Sequence, residues 1–362
     1  MKIKLVLFFI IITSIVVAQT SDPSDVSQLT FKVEKYKGSI DNSAITNLLT
    51  FYPDSNVTGY YYYDKVGRLF TINKLKDNES LKLEAKQIEL FNNDNESKDT
   101  ETFEFPRSIF ENKNDIIGKW IHKSKVLSVN LIKENLKFDW RLFRYKSIGY
   151  FKNSYFSAQT KYISIIYPSI SSSPKLNAFF LTENYLVDNN MLEFINSTQS
   201  KYLLIEQNFG ENTFEIEDCC WSDNRSNELV YISDSILTYC NDASAYGHNM
   251  QYYTDFISIN VTNGMIYTAN NIFKEDMIDT VLALLRNKYK NVLRQEGINS
   301  NNNDEAPLPS DYTEESNIYL SKGGVYFRER SYKLANYYDL FLSFDEINNY
   351  LNTSFKITIG LR

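Results

Sequence analysis

Histidine and cysteine are scarce in this sequence, with two and three of each among 362 residues. No glycine-rich phosphate loop, zinc-ligand spacing or nucleophile elbow occurs in it, which argues against a nucleotide-dependent enzyme and against a serine hydrolase. No basic patch stands out either. With a net charge of −7, the chain lacks the lysine and arginine clusters that neutralise phosphates, so nucleic acid is not an expected partner. An acidic protein suits a basic partner instead. Beyond the N-terminus no stretch approaches the about 20 apolar residues that a membrane-spanning helix needs.

What is present begins with an export signal. Lys2 and Lys4 precede the uncharged, mostly apolar run Leu5–Ala18, which is too short to span a bilayer but suits a cleavable secretory segment with cleavage after Ala18. Residues 1–18 are therefore expected to be a signal peptide and residues 19–30 a flexible lead-in. The mature protein is expected to be secreted or periplasmic and not membrane-spanning. In an oxidising compartment Cys240 is expected to pair with Cys219 or Cys220. The competing arrangement, a metal site of these three with His248, is disfavoured because adjacent cysteines lack the spacer that lets two thiolates converge on zinc. Neither metal nor cofactor is expected.

Residues 31–146 read as a β module, an antiparallel sandwich or barrel. Val57–Tyr63 holds four successive tyrosines, and Leu81, Leu83 and Ala85 alternate with charged neighbours, the period of a half-buried strand. Phe103 and Phe105 alternate in the same way, and Ile116–Trp120 with Val126–Ile132 predicts a hairpin. About two of Tyr60–Tyr63 are expected to face a core, since successive strand residues point to opposite sides; the others could stack on sugar rings or on a protein partner. Residues 150–362 form the second predicted unit. Ser173 and Pro174 fit the cap and first position of a helix, and Glu228–Ile232 and Ser235–Cys240 fit a strand pair. Asn263-Gly264 marks a tight turn, followed by a short strand at Met265–Thr268. Ile278, Val281, Leu282, Leu285, Tyr289, Val292 and Leu293 then make one apolar stripe on a helix from about Lys274 to Arg294. A hairpin around Lys322-Gly323-Gly324 and a final strand alternating at Leu340, Leu342 and Phe344 end the chain. The fold class expected is α+β: an N-terminal β module, then a domain with helices packed on an antiparallel sheet.

Residues 160–362 resemble the extracellular domain shared by RsiV-type anti-sigma factors and the accessory region of PdaC-type peptidoglycan deacetylases. The resemblance rests on order: Tyr167-Pro168 before the first helix, Ala245-Tyr246-Gly247-His248 where the family has Gly-Gly-Ala-His, and Asn263-Gly264 followed by Asn271-Ile272-Phe273 and the long helix. Gly324-Val325-Tyr326-Phe327, Tyr332 and Leu340–Phe344 complete it. Both family glycines in the histidine segment are replaced here, and the proline usual in the final strand appears as Ser343 or Phe344. What the resemblance implies is an exported, non-catalytic binding protein of the bacterial cell envelope, recognising a lysozyme-like protein or an envelope glycan such as peptidoglycan. The contact residues expected are Tyr246, Gly247, His248, Tyr252 and Tyr253.

The alternative is a carbohydrate-binding or envelope-structural protein that uses the aromatic N-terminal module, and a glycan hydrolase stands further off. No catalytic residue is assigned. His248 as a general base would need a nucleophile and an orienting carboxylate, and the sequence shows no such set. His122 is expected at the surface. Paired acids such as Glu215 with Glu217, or Asp345 with Glu346, read as solvated, because glycoside hydrolysis needs two carboxyls facing each other across a cleft.

Overall fold

The computed structural model describes residues 31–52, 56–75, 80–88, 100–106, 114–136, 140–153, 156–170, 173–183, 221–246, 250–295, 318–331 and 336–361. The predicted signal peptide and lead-in, Gly247, His248, Cys219, Cys220, Glu215, Glu217 and Tyr332 lie outside them.

Eight strands open the chain: β1 (Phe31–Ile40), β2 (Ser43–Phe51), β3 (Val57–Tyr63), β4 (Leu69–Lys74), β5 (Leu81–Gln87), β6 (Glu101–Phe105), β7 (Asp115–His122) and β8 (Lys125–Glu134). Each pairs antiparallel with the next, and β1 returns to β8 from Lys35↔Glu134 to Ile40↔Val129. The module is thus a closed antiparallel barrel, which removes the edges an open sheet would expose. Alternation explains its filling. Ile45, Leu49, Tyr61, Ile72, Leu83, Phe103 and Leu131 belong to one interior cluster, while Lys35 and Lys37 of β1 reach Glu134 of β8 at 3.0 Å on the outside.

The barrel wall continues into the rest of the sheet. β9 (Trp140–Asn153) joins β1 at Phe31↔Leu142 and pairs along its length with β10 (Phe156–Ile170). β11 (Trp221–Ile232) lies parallel to β10, from Lys161↔Trp221 to Ile166↔Ser226. β12 (Ile236–Tyr246) and β13 (Met250–Asn260) complete an antiparallel ladder with β11. A parallel pair needs a crossover between its strands. The first helix, α1 (Pro174–Glu183), lies in that connection, with the Leu176 amide donating to Ser173 Oγ at 3.5 Å. The chain is mostly β, so the α+β expectation holds only in part, and the sheet of the second region is mixed rather than purely antiparallel.

After β13 the turn at Thr262–Gly264 forms as expected, with Gly264 at φ +75°. The strand predicted at Met265–Thr268 reduces to one bridge, Ile259↔Ile266. The short helix α2 (Ala269–Ile272) follows, then α3 (Ile278–Gln295). α3 starts later than predicted because Lys274 is extended and Glu275–Met277 forms a 3-10 turn first. Its stripe is real: Val281, Leu282, Leu285 and Tyr289 are buried. β14 (Ile318–Leu320), β15 (Gly324–Ser331) and β16 (Asn336–Ser343) make a second, antiparallel sheet. It is tied to the first through hydroxyls: the Leu320 amide donates to Ser258 Oγ at 2.7 Å, and Thr238 Oγ1 donates to the Leu320 carbonyl at 2.8 Å.

The alternation predicted for Leu340, Leu342 and Phe344 is replaced by burial of Leu340, Phe341 and Leu342 in succession, since both faces of β16 are covered. Phe344 instead opens α4 (Phe344–Ile347), where Ser343 and Glu346 form a capping box. Glu346 also pairs with Lys288 at 3.0 Å; both Asp345 and Glu346 are exposed, as expected, and Glu346 serves as a cap besides. A last helix, α5 (Thr353–Ile359), ends at Gly360.

The tyrosine run shows the largest departure from expectation. Tyr60, Tyr61 and Tyr62 are all buried, because β3 is covered on both faces. Tyr61 points into the barrel and stacks on Phe70 at 4.6 Å. Tyr60 and Tyr62, on the outside, meet Phe256 at 6.3 Å and Tyr231 at 5.8 Å. The run is shared core and presents no open aromatic platform. His122, expected at the surface, is half-buried beside Trp120, their rings 5.6 Å apart.

Candidate functional site

The chemistry-bearing groups gather where the outside of the barrel meets the β11–β13 ladder. Register dictates which residues face that seam. Glu228 is opposite Cys240 and Ser226 opposite Asp242 across β11–β12, while Cys240 is opposite Phe256 and Asp242 opposite Thr254 across β12–β13. Period-two alternation puts Glu228, Cys240, Asp242, Thr254 and Phe256 on one face. From the barrel side, Tyr52 Oη donates to Glu228 Oε1 at 2.5 Å and Thr58 Oγ1 donates to the same oxygen at 2.7 Å.

Desolvation dominates the electrostatics. It raises the Glu228 carboxyl above its ordinary value, the hydroxyls of Tyr52 and Thr58 act against it, and the negative charge of Asp242 adds to it. Asp242 is raised for the same first reason, opposed by hydrogen bonds with Thr254 and Cys240 and by the charge of Arg328. Burial likewise pushes the Cys240 thiol well up, and Asp242 pushes it further. Among the described residues Cys240 is buried and forms no disulfide, and burial disfavours its thiolate as a nucleophile. The disulfide expected for it has no partner among the described residues, since Cys219 and Cys220 are not among them.

Arg328 supplies a cation beside the seam. It lies opposite Asp339 on the β15–β16 ladder, with Nη1 at 3.3 Å from Asp339 Oδ2. Its guanidinium also stands 4.9 Å over the Phe256 ring. Burial works against its charge, but Asp339 and the neighbouring acids outweigh this and raise it. Asp339 and Asp255 are both raised by desolvation, each with Arg328 opposing. Three acids, Asp242, Asp255 and Asp339, thus share one arginine, and Glu228 is not among them. Among the described residues no group of His, Cys, Asp and Glu is arranged to hold a metal ion.

The expected contact residues fall at the far end of the same ladder. Tyr246 pairs with Met250, Ser244 with Tyr252 and Ala243 with Tyr253, while Gly247 and His248 lie outside the described residues. The structure therefore brings Tyr246, Tyr252 and Tyr253 onto one hairpin whose root carries Asp242 and Thr254. Sequence reasoning missed Glu228, Asp242, Tyr52, Thr58 and Arg328. Alternation of Thr238, Cys240 and Asp242 along one strand was a readable signal for one of these faces.

No family model matches the chain, and no curated protein matches it. Among solved structures, it is similar to a DUF3298 family member from Bacteroides fragilis, at 16% identity and a TM-score of 0.44, over 62% of this chain and 96% of that one. A DUF3298 family protein from Pseudomonas aeruginosa is similar at 11% identity and a TM-score of 0.40, over 61% of this chain and 97% of that one. No helix among the described residues is long and apolar enough to cross a membrane.

Proposed function

We propose that this chain is an exported, non-catalytic binding protein of the bacterial cell envelope, with a lysozyme-like protein or an envelope glycan as its partner class. The binding surface is the β12–β13 hairpin end, with Tyr246, Gly247, His248, Tyr252 and Tyr253 as contacts. The observation that supports this most directly is the backbone register, which gathers Tyr246, Tyr252 and Tyr253 on one hairpin rooted in the seam. Recognition residues are commonly carried on a loop or tip positioned by a rigid scaffold, and the root of this hairpin is such a scaffold. The RsiV-like resemblance of residues 160–362 and the net charge of −7 favour the same reading.

The test is binding of residues 19–362 to a lysozyme and, separately, to soluble peptidoglycan fragments. Saturable binding to one of them is expected, weakened at least about tenfold, or 1.4 kcal/mol, by His248→Ala or Tyr246→Ala with unchanged thermal stability. Residual lysozyme activity in a complex would distinguish a sensor from an inhibitor. Absence of binding to both partners, or binding that neither substitution weakens, overturns the proposal. The whole mature chain is the right material, because removing the barrel would uncover Tyr231 and Phe256.

A further inference from the structure

One carboxyl group spans the two regions. Glu228 comes from β11, and both hydroxyls that reach it come from the barrel side, Tyr52 just beyond β2 and Thr58 in β3, converging on the same oxygen. The other titratable groups that face it are Tyr60 of β3 and Cys240 and Asp242 of β12. Arg328 of β15 is engaged by Asp339 of β16, and Asp255 lies on the other face of β13. Among the described residues no lysine or arginine forms an ion pair with Glu228.

We propose that Glu228 is a proton-operated latch between the barrel and the β11–β13 ladder, closed when its carboxyl carries a proton and loosened when it is ionised. The two hydroxyl donors satisfy Oε1 in either state, so the hydrogen bonds alone do not decide the outcome. The charge does. An ionised Glu228 places a negative charge in a half-buried contact next to Asp242, while Arg328 is paired with Asp339. A protonated Glu228 keeps both hydrogen bonds and removes the repulsion. The sign follows from linkage: an acid whose folded-state value is raised contributes most below its unfolded value, about 4.3, and loses that contribution as pH rises through the raised value. The direction for Glu228 agrees with this. The latch stands independently of the partner proposed above.

Amide exchange of the full mature chain, corrected for intrinsic rates and referenced to β5 and β6, tests it between pH 4.5 and 7.5. Protection of β3 and β11 amides at the seam is expected to fall severalfold as pH rises. Glu228→Gln should shrink that change severalfold, leaving the smaller part of the same sign that Asp242 contributes. Tyr52→Phe removes a donor that favours the ionised form, so its midpoint should move to higher pH. Retention of the wild-type pH dependence in Glu228→Gln overturns the latch, as does an unmoved midpoint in Tyr52→Phe.

Discussion

Glu34 in the barrel and Glu228 at the seam are both acids held away from much of the water, yet their carboxyls move in opposite directions. Burial pushes Glu34 up, but hydrogen bonds from Lys133, Lys32 and Tyr36 outweigh it and hold the carboxyl below its ordinary value. Glu228 receives hydroxyls in place of ammonium groups and has Asp242 beside it, so burial prevails. The barrel balances the buried charge of Glu34 with the ammonium groups of Lys32 and Lys133. The seam carries an excess of negative charge and is closed mainly by aromatic packing. A self-contained β module is thus joined to its neighbour through a contact that is strong in apolar area and electrostatically strained.

The comparison breaks most sharply where backbones touch. Gly67 is at φ +71°, and a Cβ there would lie 2.1 Å from the Gly323 amide nitrogen. Gly67→Ala should therefore destabilise the chain by about 4 kcal/mol or more, through both backbone strain and collision, as read from chemical denaturation. If the barrel were merely tethered, the substitution would cost only the local strain. Tyr62→Ala, which empties the barrel's outer contact with Tyr231, should cost about 3 kcal/mol. That loss should appear equally in probes of both regions.

Glu34→Gln sharpens the electrostatic half of the comparison. Because the folded value of Glu34 is lowered, its contribution is present above the unfolded value of about 4.3 and is lost as pH falls through the folded value. The substitution should cost about 2 kcal/mol at pH 7, and the difference from wild type should shrink in acid. Glu228→Gln should show the reverse trend. The smallest effect belongs to the Lys322–Asp64 pair, 3.0 Å apart and partly exposed. Lys322→Ala should cost less than about 1 kcal/mol, with the loss reduced further at high salt.

Much of the architecture was readable from period and punctuation. Alternation at Leu81, Leu83 and Ala85 and at Phe103 and Phe105 marks strands that face one interior, and the stripe at Val281, Leu282, Leu285 and Tyr289 marks the long helix. Local patterns do not say which strands become covered twice. For that reason Tyr60–Tyr62 and Leu340–Leu342 read as half-exposed, although neighbours far along the chain bury them. The parallel β10–β11 pair is equally a matter of long-range topology. The resemblance pointed to the Ala245–His248 segment, of which Gly247 and His248 lie outside the described residues, and no sequence reading pointed to the seam: Glu228 lies 176 residues from Tyr52 and 170 from Thr58, and no local pattern links them.

The central claim is that barrel and second region share one core through Tyr60, Tyr62, Phe256 and Tyr231. Residue-resolved hydrogen exchange across a urea titration tests it most directly, comparing amides of β5 and β6 in the barrel with those of α3 and β15 in the second region. The account predicts one common midpoint for both sets, and a common shift of that midpoint in Tyr62→Ala. Two separate midpoints, with Tyr62→Ala moving only the barrel's, would contradict it.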